Sequence, residues 1–363
     1  MSLAPPLPLS KAIKVGNKFV GSDHPCFIIA EIGNNHNGDF ELAKKSVKAA
    51  AFAGADAVKF QKRFLNETFT KEMLASPQTS SRGRGLGSTY GEYRRKLELS
   101  EEDLCALKVL AHELGMVFFV TAFDLKGAEL LSRVGMDCWK IASFDLTHTQ
   151  LLEYVAQMGQ PIFMSTGMSD LFEVDRAVDA VLKYNDRLII KHCVSVYPTP
   201  DDDLNIGAIP LMIKRYTPLP IGYSGHEIGF VPTVVAVALG ASSVERHFTL
   251  DKTLPGPDHA TVSLDPIEFS EMTRQIRRIE KAVKDNEKYL HEKEVAHRNK
   301  HSKSIVARVN IPVGVVITAE MICFKSPGHG IKPYNINRVV GKTAKKDIPE
   351  DTIICEDDIK NTN

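Results

Sequence analysis

Eight short apolar runs are spaced along the first two-thirds of the chain, and nearly every run ends on a polar, charged or imidazole side chain. Continuous apolar runs of this length are typical of parallel strands that are buried on both faces. Most of the stretches between them carry apolar residues at three- and four-residue spacing, which predicts amphipathic helices. The runs occupy residues 26–31, 57–61, 117–121, 139–143, 162–165, 188–192, 221–224 and 243–247.

A strand–helix alternation repeated eight times predicts an α/β protein of the (β/α)8 TIM barrel type. A final helical pattern at residues 266–283 is expected to close the barrel. In such barrels the chemistry takes place at the carboxyl-terminal ends of the strands, so the polar residues at the run ends should form one ring. These residues are Glu31, Lys59, Gln61, Thr121, Lys140, Ser143, Ser165, His192, Ser224, His226, Glu245 and His247.

The chain is longer than one barrel, since it has 363 residues and a TIM barrel uses about 250. Residues 284–303 are highly charged and poor in apolar side chains, which predicts a linker. Beyond it, short apolar stretches such as 304–309 and 315–317 alternate with Gly/Pro turns, which predicts a small β-rich domain. We therefore divide the chain into a barrel domain at 1–283, a linker at 284–303 and a second domain at 304–363.

Composition excludes several classes of protein. Lys plus Arg and Asp plus Glu both number 45, so no overall field favours nucleic acid or membrane binding. No apolar run approaches the roughly 20 residues of a membrane helix, and the first residues lack the pattern of a signal peptide. The six cysteines show no CxxC spacing and suit reduced thiols. A cytoplasmic enzyme is expected.

The segment after the second predicted strand, residues 63–97, is unusually long and contains no strong strand pattern. Loops of this length are usually lids or binding segments, and this one begins at the active-site face. Its basic side chains either contact an anionic group or form a solvated, mobile loop, and the sequence leaves both readings open. They are Arg82, Arg84, Arg94, Arg95 and Lys96.

Two histidines suggest a metal site, because His226 and His247 follow the seventh and eighth predicted strands, which are neighbours in a closed barrel. Two imidazoles at one rim can bind a divalent transition metal, with carboxylate or water at the remaining positions. Glu245 would point to the same side of its strand as His247 and can serve as a ligand or orient one.

The same rim carries groups that suit an anionic, phosphate-bearing substrate, which needs cationic side chains and hydroxyl donors around its oxygens. Glu31 ends the first run and is a candidate acid/base, although a carboxylate there can equally cap the following helix. The predicted anion-binding groups are Lys59, Thr121, Lys140, Ser143, Ser165 and Ser224.

Several motifs resemble those of the sialic acid (N-acetylneuraminate) synthase family, and the resemblance covers nearly all of the chain. The most specific are IGYSGHE and ERHFTLDK around the two histidines, together with EIGNNHNG at the first strand. Further matches are GADAVKFQK, KIASFD, PIFMSTGMS and HCVSVYPTP. The last part, with KSIVARVNIPVGVVIT and VVGK, resembles the SAF (antifreeze-like) domain that follows the barrel in this family.

The resemblance implies a transferase that forms a C–C bond between phosphoenolpyruvate and an N-acylated amino-sugar aldehyde, giving a nine-carbon 2-keto acid and phosphate. It implies a divalent metal on His226 and His247, Mn²⁺ first and Mg²⁺ or Co²⁺ as alternatives. It also implies phosphoenolpyruvate at the anion-binding groups, and Gln61 is a further candidate substrate-binding residue of the rim. Positions that match sugar contacts are Glu31, Tyr197 and Asp258.

The resemblance leaves the acceptor open between N-acetylmannosamine, its 6-phosphate and a 2,4-diacetamido-6-deoxy sugar. Some bacterial members carry an arginine in the SAF domain that reaches the partner subunit's sugar, and this chain has Ser326 there. A homodimer with the SAF domain over the partner's barrel mouth is expected, without nucleic acid or membrane partners. The alternative is a catalytically silent protein that binds glycan or ice through the antifreeze-like domain.

Overall fold

The computed structural model of the protein describes residues 7–78, 86–256, 258, 260–283 and 287–361. The chain divides into two compact units, Met1–Asp285 and Asn286–Asn363. Each unit has its own cluster of buried apolar side chains. Among the described residues, no helix is both long and apolar enough to cross a membrane.

Eight parallel strands of the first unit close into a barrel, which confirms the predicted architecture. Each strand pairs with the next one along the chain, and the eighth pairs with the first from Ser243↔Phe27 to His247↔Glu31. The strands begin and end within two residues of the predicted runs. They are β1 (Phe27–Gly33), β2 (Ala57–Lys62), β3 (Val117–Ala122), β4 (Trp139–Ile141), β5 (Ile162–Ser165), β6 (Leu188–Cys193), β7 (Ile221–Gly225) and β8 (Ser243–His247).

One main helix follows each strand and covers the outside of the barrel. These helices are α1 (Phe40–Phe52), α2 (Glu101–Glu113), α3 (Leu125–Val134), α4 (Thr149–Gln157), α5 (Leu171–Leu182), α6 (Ala208–Tyr216), α7 (Val231–Ala238) and α8 (Pro266–Ala282). In α8, Phe269, Met272 and Ile276 are buried at helical spacing. Asp265 caps this helix by accepting backbone N–H groups of its first turn, which otherwise lack partners.

The long segment between β2 and α2 contains three short helices and one antiparallel bridge, Pro77↔Thr89, among its described residues. The last of its helices carries a capping box at Thr89 and Glu92 and a basic last turn, both favourable for a short helix. Residues 79–85, which include Arg82 and Arg84, lie outside the described residues. The three helices are Leu65–Thr68, Lys71–Ala75 and Tyr90–Lys96.

The barrel interior is apolar at the amino-terminal end of the strands and polar above it. Phe163 stacks with Phe27 and with Phe119, at ring-centroid distances of 5.8 and 5.7 Å. Because β1 and β5 stand on opposite sides of the barrel, these rings fill its interior. Above them, Lys191 Nζ lies 4.7 Å from the centroid of the Phe163 ring. An aromatic floor therefore lies directly beneath a layer of charge.

An N-terminal hairpin, Ile13–Val15 paired with Lys18–Val20, is an element that the strand pattern above did not predict. Its turn contains Gly16, which has φ +57°, and a Cβ at this position would lie 2.9 Å from Val117 Cγ2. Glycine therefore allows the turn to pack closely against the first residue of β3. The hairpin covers the amino-terminal end of the barrel.

The second unit is built from short antiparallel strand pairs, which confirms the predicted β-rich domain. Apolar side chains from the strands and the connecting turns form its core. The predicted strand at 315–317 is reduced to a single bridge, Val316↔Thr343. The pairs are β9 (Ser304–Ala307) with β10 (Ile322–Lys325), and β11 (Thr343–Ala344) with β12 (Ile359–Lys360).

Part of the predicted linker at 284–303 is helical. Helix α9 (Val295–His301) lies within it, and all of its residues are exposed. The Ser326 hydroxyl is engaged inside the second unit, since it donates to His301 O and accepts from Lys303 Nζ, each at 3.0 Å.

A fully buried ion pair fixes the loop after β7 against β8. Arg246 Nη1 lies 2.7 Å from Glu227 Oε1, and both side chains are inaccessible to solvent. The guanidinium also donates to Gly229 O and to Thr233 Oγ1, at 2.7 and 2.9 Å. Tyr223 donates to the second carboxylate oxygen at 2.9 Å. Loss of one partner would leave an uncompensated charge in the core.

We expect Arg246→Ala to lower the free energy of unfolding by about 3–5 kcal/mol, because Glu227 would remain buried without its partner. Arg215→Ala is the matched control and should leave stability almost unchanged, since the Arg215–Asp175 pair is exposed. Urea unfolding followed by circular dichroism measures both effects. Equal, small losses in the two variants would contradict the expectation.

Candidate active site

The cavity at the carboxyl ends of the strands has a volume of about 270 Å³ and takes wall residues from all eight strands or the loops after them. The structure brings together in this wall every residue that the sequence and the resemblance assigned to catalysis, substrate or metal. These residues are Glu31, Lys59, Gln61, Thr121, Lys140, Ser143, Ser165, Tyr197, Ser224, His226, His247 and Asp258.

The loop after β1 is held in place by its own motif residues. Asn35 Nδ2 donates to Phe248 O at 2.8 Å, which joins this loop to the chain just after β8. Gly38 has φ +76°, and a Cβ there would lie 1.9 Å from Lys96 O. The last glycine of EIGNNHNG therefore allows the loop to approach the end of the Tyr90–Lys96 helix.

A cluster of buried charges occupies the centre of the cavity. Lys59 Nζ lies 2.9 Å from both Thr121 Oγ1 and Glu31 Oε2. It also lies 3.5 Å from Glu245 Oε1. The other oxygen of Glu245 lies 2.8 Å from Lys191 Nζ, so one carboxylate joins lysines from two strands. The carboxylates of the cluster are paired with its lysines, which brings several ammonium groups to one place.

The pKa shifts in this cluster follow from burial and from these contacts. Burial alone would lower the pKa of Lys59, but Glu245 and Glu31 reverse this and raise it. Burial opposes ionisation of Glu245 too, yet the surrounding lysines, first of all Lys140, hold its pKa well below the usual range. At Glu31 burial prevails and raises the pKa, with a contribution from Glu245. Glu31 is therefore the more readily protonated carboxyl of the two.

Lys140 stands among hydroxyl groups. Its Nζ donates to Ser165 Oγ at 2.7 Å and to Ile141 O at 3.0 Å. Burial lowers the pKa of Lys140 to about 8. Ser143 Oγ accepts a hydrogen bond from Gly167 N at 3.0 Å. An ammonium has three N–H donors, and two of those of Lys140 have partners among the residues described, so one remains for a ligand.

His226 and His247 lie side by side at the ends of β7 and β8, with ring centroids 5.5 Å apart. His226 Nδ1 lies 2.8 Å from Val194 O, which can only accept, so Nδ1 carries a proton and Nε2 is the ring nitrogen on the side left for a metal. Within the described part of the chain, the buried Nδ1 of His247 makes no hydrogen bond. Asp258 Oδ2 lies 3.8 Å from it.

This pair fits a divalent transition metal. Burial holds the pKa of His247 well below its usual range, and the neutral imidazole is the form that binds metal. An orphaned buried ring nitrogen is the kind of group that a metal ion would satisfy. No set of three or more His, Cys, Asp or Glu side chains stands at metal-binding spacing among the described residues. The fit therefore extends to two protein ligands.

Tyr197 and Asp258, which only the resemblance pointed to, lie beside the histidines. The Tyr197 ring centroid is 4.0 Å from that of His226 and 5.9 Å from that of His247. Both residues belong to loops after the strands, so no strand-end pattern could have located them.

Arg63 is a wall residue that the sequence pattern did not single out. Its guanidinium carbon lies 3.5 Å from the centroid of the Phe123 ring. Its Nη2 donates to Gln61 Oε1 at 2.7 Å, an oxygen that also accepts from Asn34 Nδ2 at 3.0 Å. Arg63 begins the long segment, just past the end of β2.

The basic residues of that segment separate in the structure. Arg94 lines the cavity, whereas Arg95 and Lys96 are exposed. Arg94 is therefore the basic residue of this short helix that faces the cavity, and the two that follow it face solvent.

Strand β6 differs from the prediction, because His192 points out of the cavity and its Nε2 lies 2.9 Å from Leu204 O. Lys191, its neighbour, is the residue that faces the barrel interior. Successive residues of a strand point to opposite faces, so only one of the two can belong to the ring. The phase of the other strands, in which Lys59 and Glu245 face inward, is the signal that identifies Lys191.

The fold and this cavity define a (β/α)8-barrel protein with a buried, lysine-rich site at the carboxyl ends of its strands. Residues 46–288 match the model of the NeuB family, and residues 302–360 match that of the SAF domain. The chain belongs to the NeuB family and carries a SAF domain. The resemblance drawn from the motifs is thereby confirmed.

Similar proteins cover nearly the whole chain. N-acetylneuraminate-9-phosphate synthase of Homo sapiens is 39% identical over 345 residues, 95% of each chain. N,N'-diacetyllegionaminic acid synthase of Legionella pneumophila is 38% identical over 350 residues, 95% of this chain and 98% of that one. The crystal structure of N-acetylneuraminic acid (sialic acid) synthetase from Leptospira borgpetersenii, in complex with citrate, has a TM-score of 0.71 and 32% identity. It covers 80% of this chain and 97% of that chain.

Proposed function

We propose that the protein is a nonulosonic (sialic) acid synthase that condenses phosphoenolpyruvate with an N-acylated amino-sugar aldehyde to give a nine-carbon 2-keto acid and phosphate. The observation that carries this proposal is the gathering of Lys59 and Lys140 with hydroxyl side chains in the wall of one cavity. The synthase relatives support the same class of reaction.

The inner part of the cavity suits phosphoenolpyruvate. Lys59 and Lys140 would face its phosphate and carboxylate, because charge-assisted hydrogen bonds to such oxygens are strong. Hydroxyl groups around them supply further donors. The proposed hydroxyl contacts are Thr121, Ser143, Ser165 and Ser224.

In the proposed reaction, carbon 3 of phosphoenolpyruvate forms a bond to the aldehyde carbon, whose oxygen takes up a proton and becomes a hydroxyl. Water adds to the resulting cationic carbon 2 and loses a proton. The C–O bond of this hemiketal phosphate then breaks, which releases phosphate and leaves the 2-keto group. Glu31 is the proposed acid/base, while Gln61, Tyr197 and Asp258 contact the sugar. A divalent metal on His226 and His247 would polarise the aldehyde oxygen when bound.

The alternative, a catalytically silent glycan- or ice-binding protein, does not explain why the cavity carries buried charged groups. Buried ammonium and carboxylate groups are costly to desolvate, and a barrel with an apolar interior would be stable without them. A synthase gives the ammonium groups of Lys59 and Lys140 substrate oxygens to bind, and we therefore favour this function.

We expect the purified protein to release phosphate from phosphoenolpyruvate only in the presence of N-acetylmannosamine, its 6-phosphate or a 2,4-diacetamido-6-deoxy sugar. Lys59→Met should lower kcat/KM roughly tenfold or more, because a lost hydrogen bond to a charged group costs about 1.5–3 kcal/mol. Lys214→Met, on the exposed side of α6, is the control and should match the wild type. Phosphate release and mass spectrometry of the product measure this. Absence of turnover with every acceptor would refute the proposal.

We propose Mn²⁺ as the resident metal, with Mg²⁺ and Co²⁺ as the alternatives. Chelator treatment should abolish turnover, and Mn²⁺ should restore it. In an electron paramagnetic resonance titration, His226→Ala/His247→Ala should lose the tight Mn²⁺ site of the wild type. His112→Ala, an exposed histidine of α2, should keep it. A double variant that binds Mn²⁺ as the wild type does would remove these histidines from the site.

We also propose a homodimer in which the SAF domain of one protomer covers the barrel mouth of the other. Apolar side chains on the loops and first helical turns after β4, β5 and β7 support it, since large exposed apolar surfaces usually mark interaction sites. Their exposed fractions range from 57% to 73%. They are Phe144, Met168, Phe172, Ile228 and Val231.

Light scattering should therefore give the mass of a dimer, and Phe172→Asp should shift the population towards the monomer. Val109→Asp is the matched control, because Val109 is also exposed but lies on the outer helix α2. A monomeric wild type, or equal shifts in both variants, would contradict the proposed interface.

A further inference from the structure

Two arginines of the cavity wall, Arg63 and Arg94, have no role in the reaction as proposed. We propose that they form a second anion subsite, which binds a phosphate ester carried by the acceptor sugar. This inference rests on the proposed synthase function and names the class of acceptor.

The side chain of Arg63 is held in place, and its guanidinium still has N–H donors for a ligand. It is only 7% exposed, and its ring-stacked guanidinium keeps its N–H groups along the free edge. One of its nitrogens, Nη2, is used by Gln61. The other, Nη1, is buried and makes no hydrogen bond to any described residue. A buried donor of a charged group is costly to leave unmade, and a bound anion would satisfy it.

The carboxylates near Arg63 do not neutralise it. Glu98 accepts from the Arg63 backbone N–H at 3.1 Å, but its charge is paired with Lys62 Nζ, also at 3.1 Å. Asp145 is the other neighbouring acid, and burial raises its pKa to about 7, so it carries only part of a charge at neutral pH. Its buried Oδ2 makes no hydrogen bond to any described residue either. The positive charge of Arg63 is therefore only partly compensated by its neighbours.

Arg94 brings a second guanidinium to the same wall. Its Nε donates to Tyr90 OH at 2.9 Å, and its guanidinium carbon lies 5.2 and 5.4 Å from the ring centroids of Tyr90 and Tyr93. This arrangement uses Nε, and neither terminal nitrogen donates to any residue that the structure describes, so both remain for a ligand. Burial and the charge of Arg94 lower the pKa of Arg63 to about 10, so the two cations repel each other. A dianion bound between them would relieve this repulsion.

The position of the pair distinguishes this subsite from that of phosphoenolpyruvate. Lys59 and Arg63 are four residues apart along β2 and its end, which is about 13 Å of extended chain towards the barrel mouth. Gln61, a proposed sugar contact, lies between them. An anion at Arg63 is therefore on the sugar's side of the cavity. Two guanidinium forks match the oxygens of a phosphate group in geometry as well as in charge.

The test compares N-acetylmannosamine with its 6-phosphate at saturating phosphoenolpyruvate, using the full chain. The wild type should favour the phosphorylated acceptor in kcat/KM by roughly tenfold or more, the effect of a charged hydrogen bond. Arg94→Leu should reduce that ratio at least tenfold, and Arg94→Lys, which keeps the charge, should retain part of it. Arg95→Leu is the matched control on the exposed side of the same helix and should retain the full ratio.

The outcomes separate the two proposals. A wild type that prefers unphosphorylated N-acetylmannosamine, or uses both sugars equally, overturns the subsite and leaves the synthase intact. An Arg94→Leu variant that raises the KM for phosphoenolpyruvate while the acceptor ratio stays unchanged also overturns it. Phosphate release with neither sugar, nor with a 2,4-diacetamido-6-deoxy sugar, overturns the synthase and the subsite together.

Discussion

Closure of eight parallel strands into a barrel is the constraint on which the rest of the first unit depends. Alternate residues of every strand must point into one narrow interior, whatever their chemistry. Polar side chains placed there have no access to bulk water, so they must bind one another. Glu245 meets this requirement by contacting both Lys59 and Lys191, which come from strands on different sides of the ring. The charge cluster therefore meets a packing requirement and also forms the centre of the candidate site.

At the barrel mouth, too, one interaction serves both the core and the candidate site. Glu227 directly follows His226, and Arg246 directly precedes His247, so the buried ion pair joins the sequence neighbours of the two histidines. Any movement of β7 against β8 that separated the imidazoles would also have to break this pair. The spacing of the two rings is thus set by the core and not by the outer parts of the loops.

Much of the fold can be predicted from local sequence patterns, because apolar runs and stretches of helical spacing alternate and have clear boundaries. The ring of site residues can be predicted as well, since polar residues at or near the ends of the apolar runs, such as Lys59 and His247, mark the carboxyl edge of the barrel. Other features depend on three-dimensional packing. The choice of Lys191 over His192 requires the phase of β6 relative to its neighbours, and Arg94 reaches the cavity only through the folding of a long segment. The N-terminal hairpin is short and carries too few apolar residues to stand out.

That hairpin, with the aromatic rings of Phe27, Phe119 and Phe163 above it, makes the described part of the barrel a pit with a single opening. A molecule held at the level of the lysines has to enter before one held at the level of the histidines and arginines. It also has to wait for the outer molecule to leave. The topology of the barrel therefore imposes an order of binding, in which the ligand held deepest binds first and is released last.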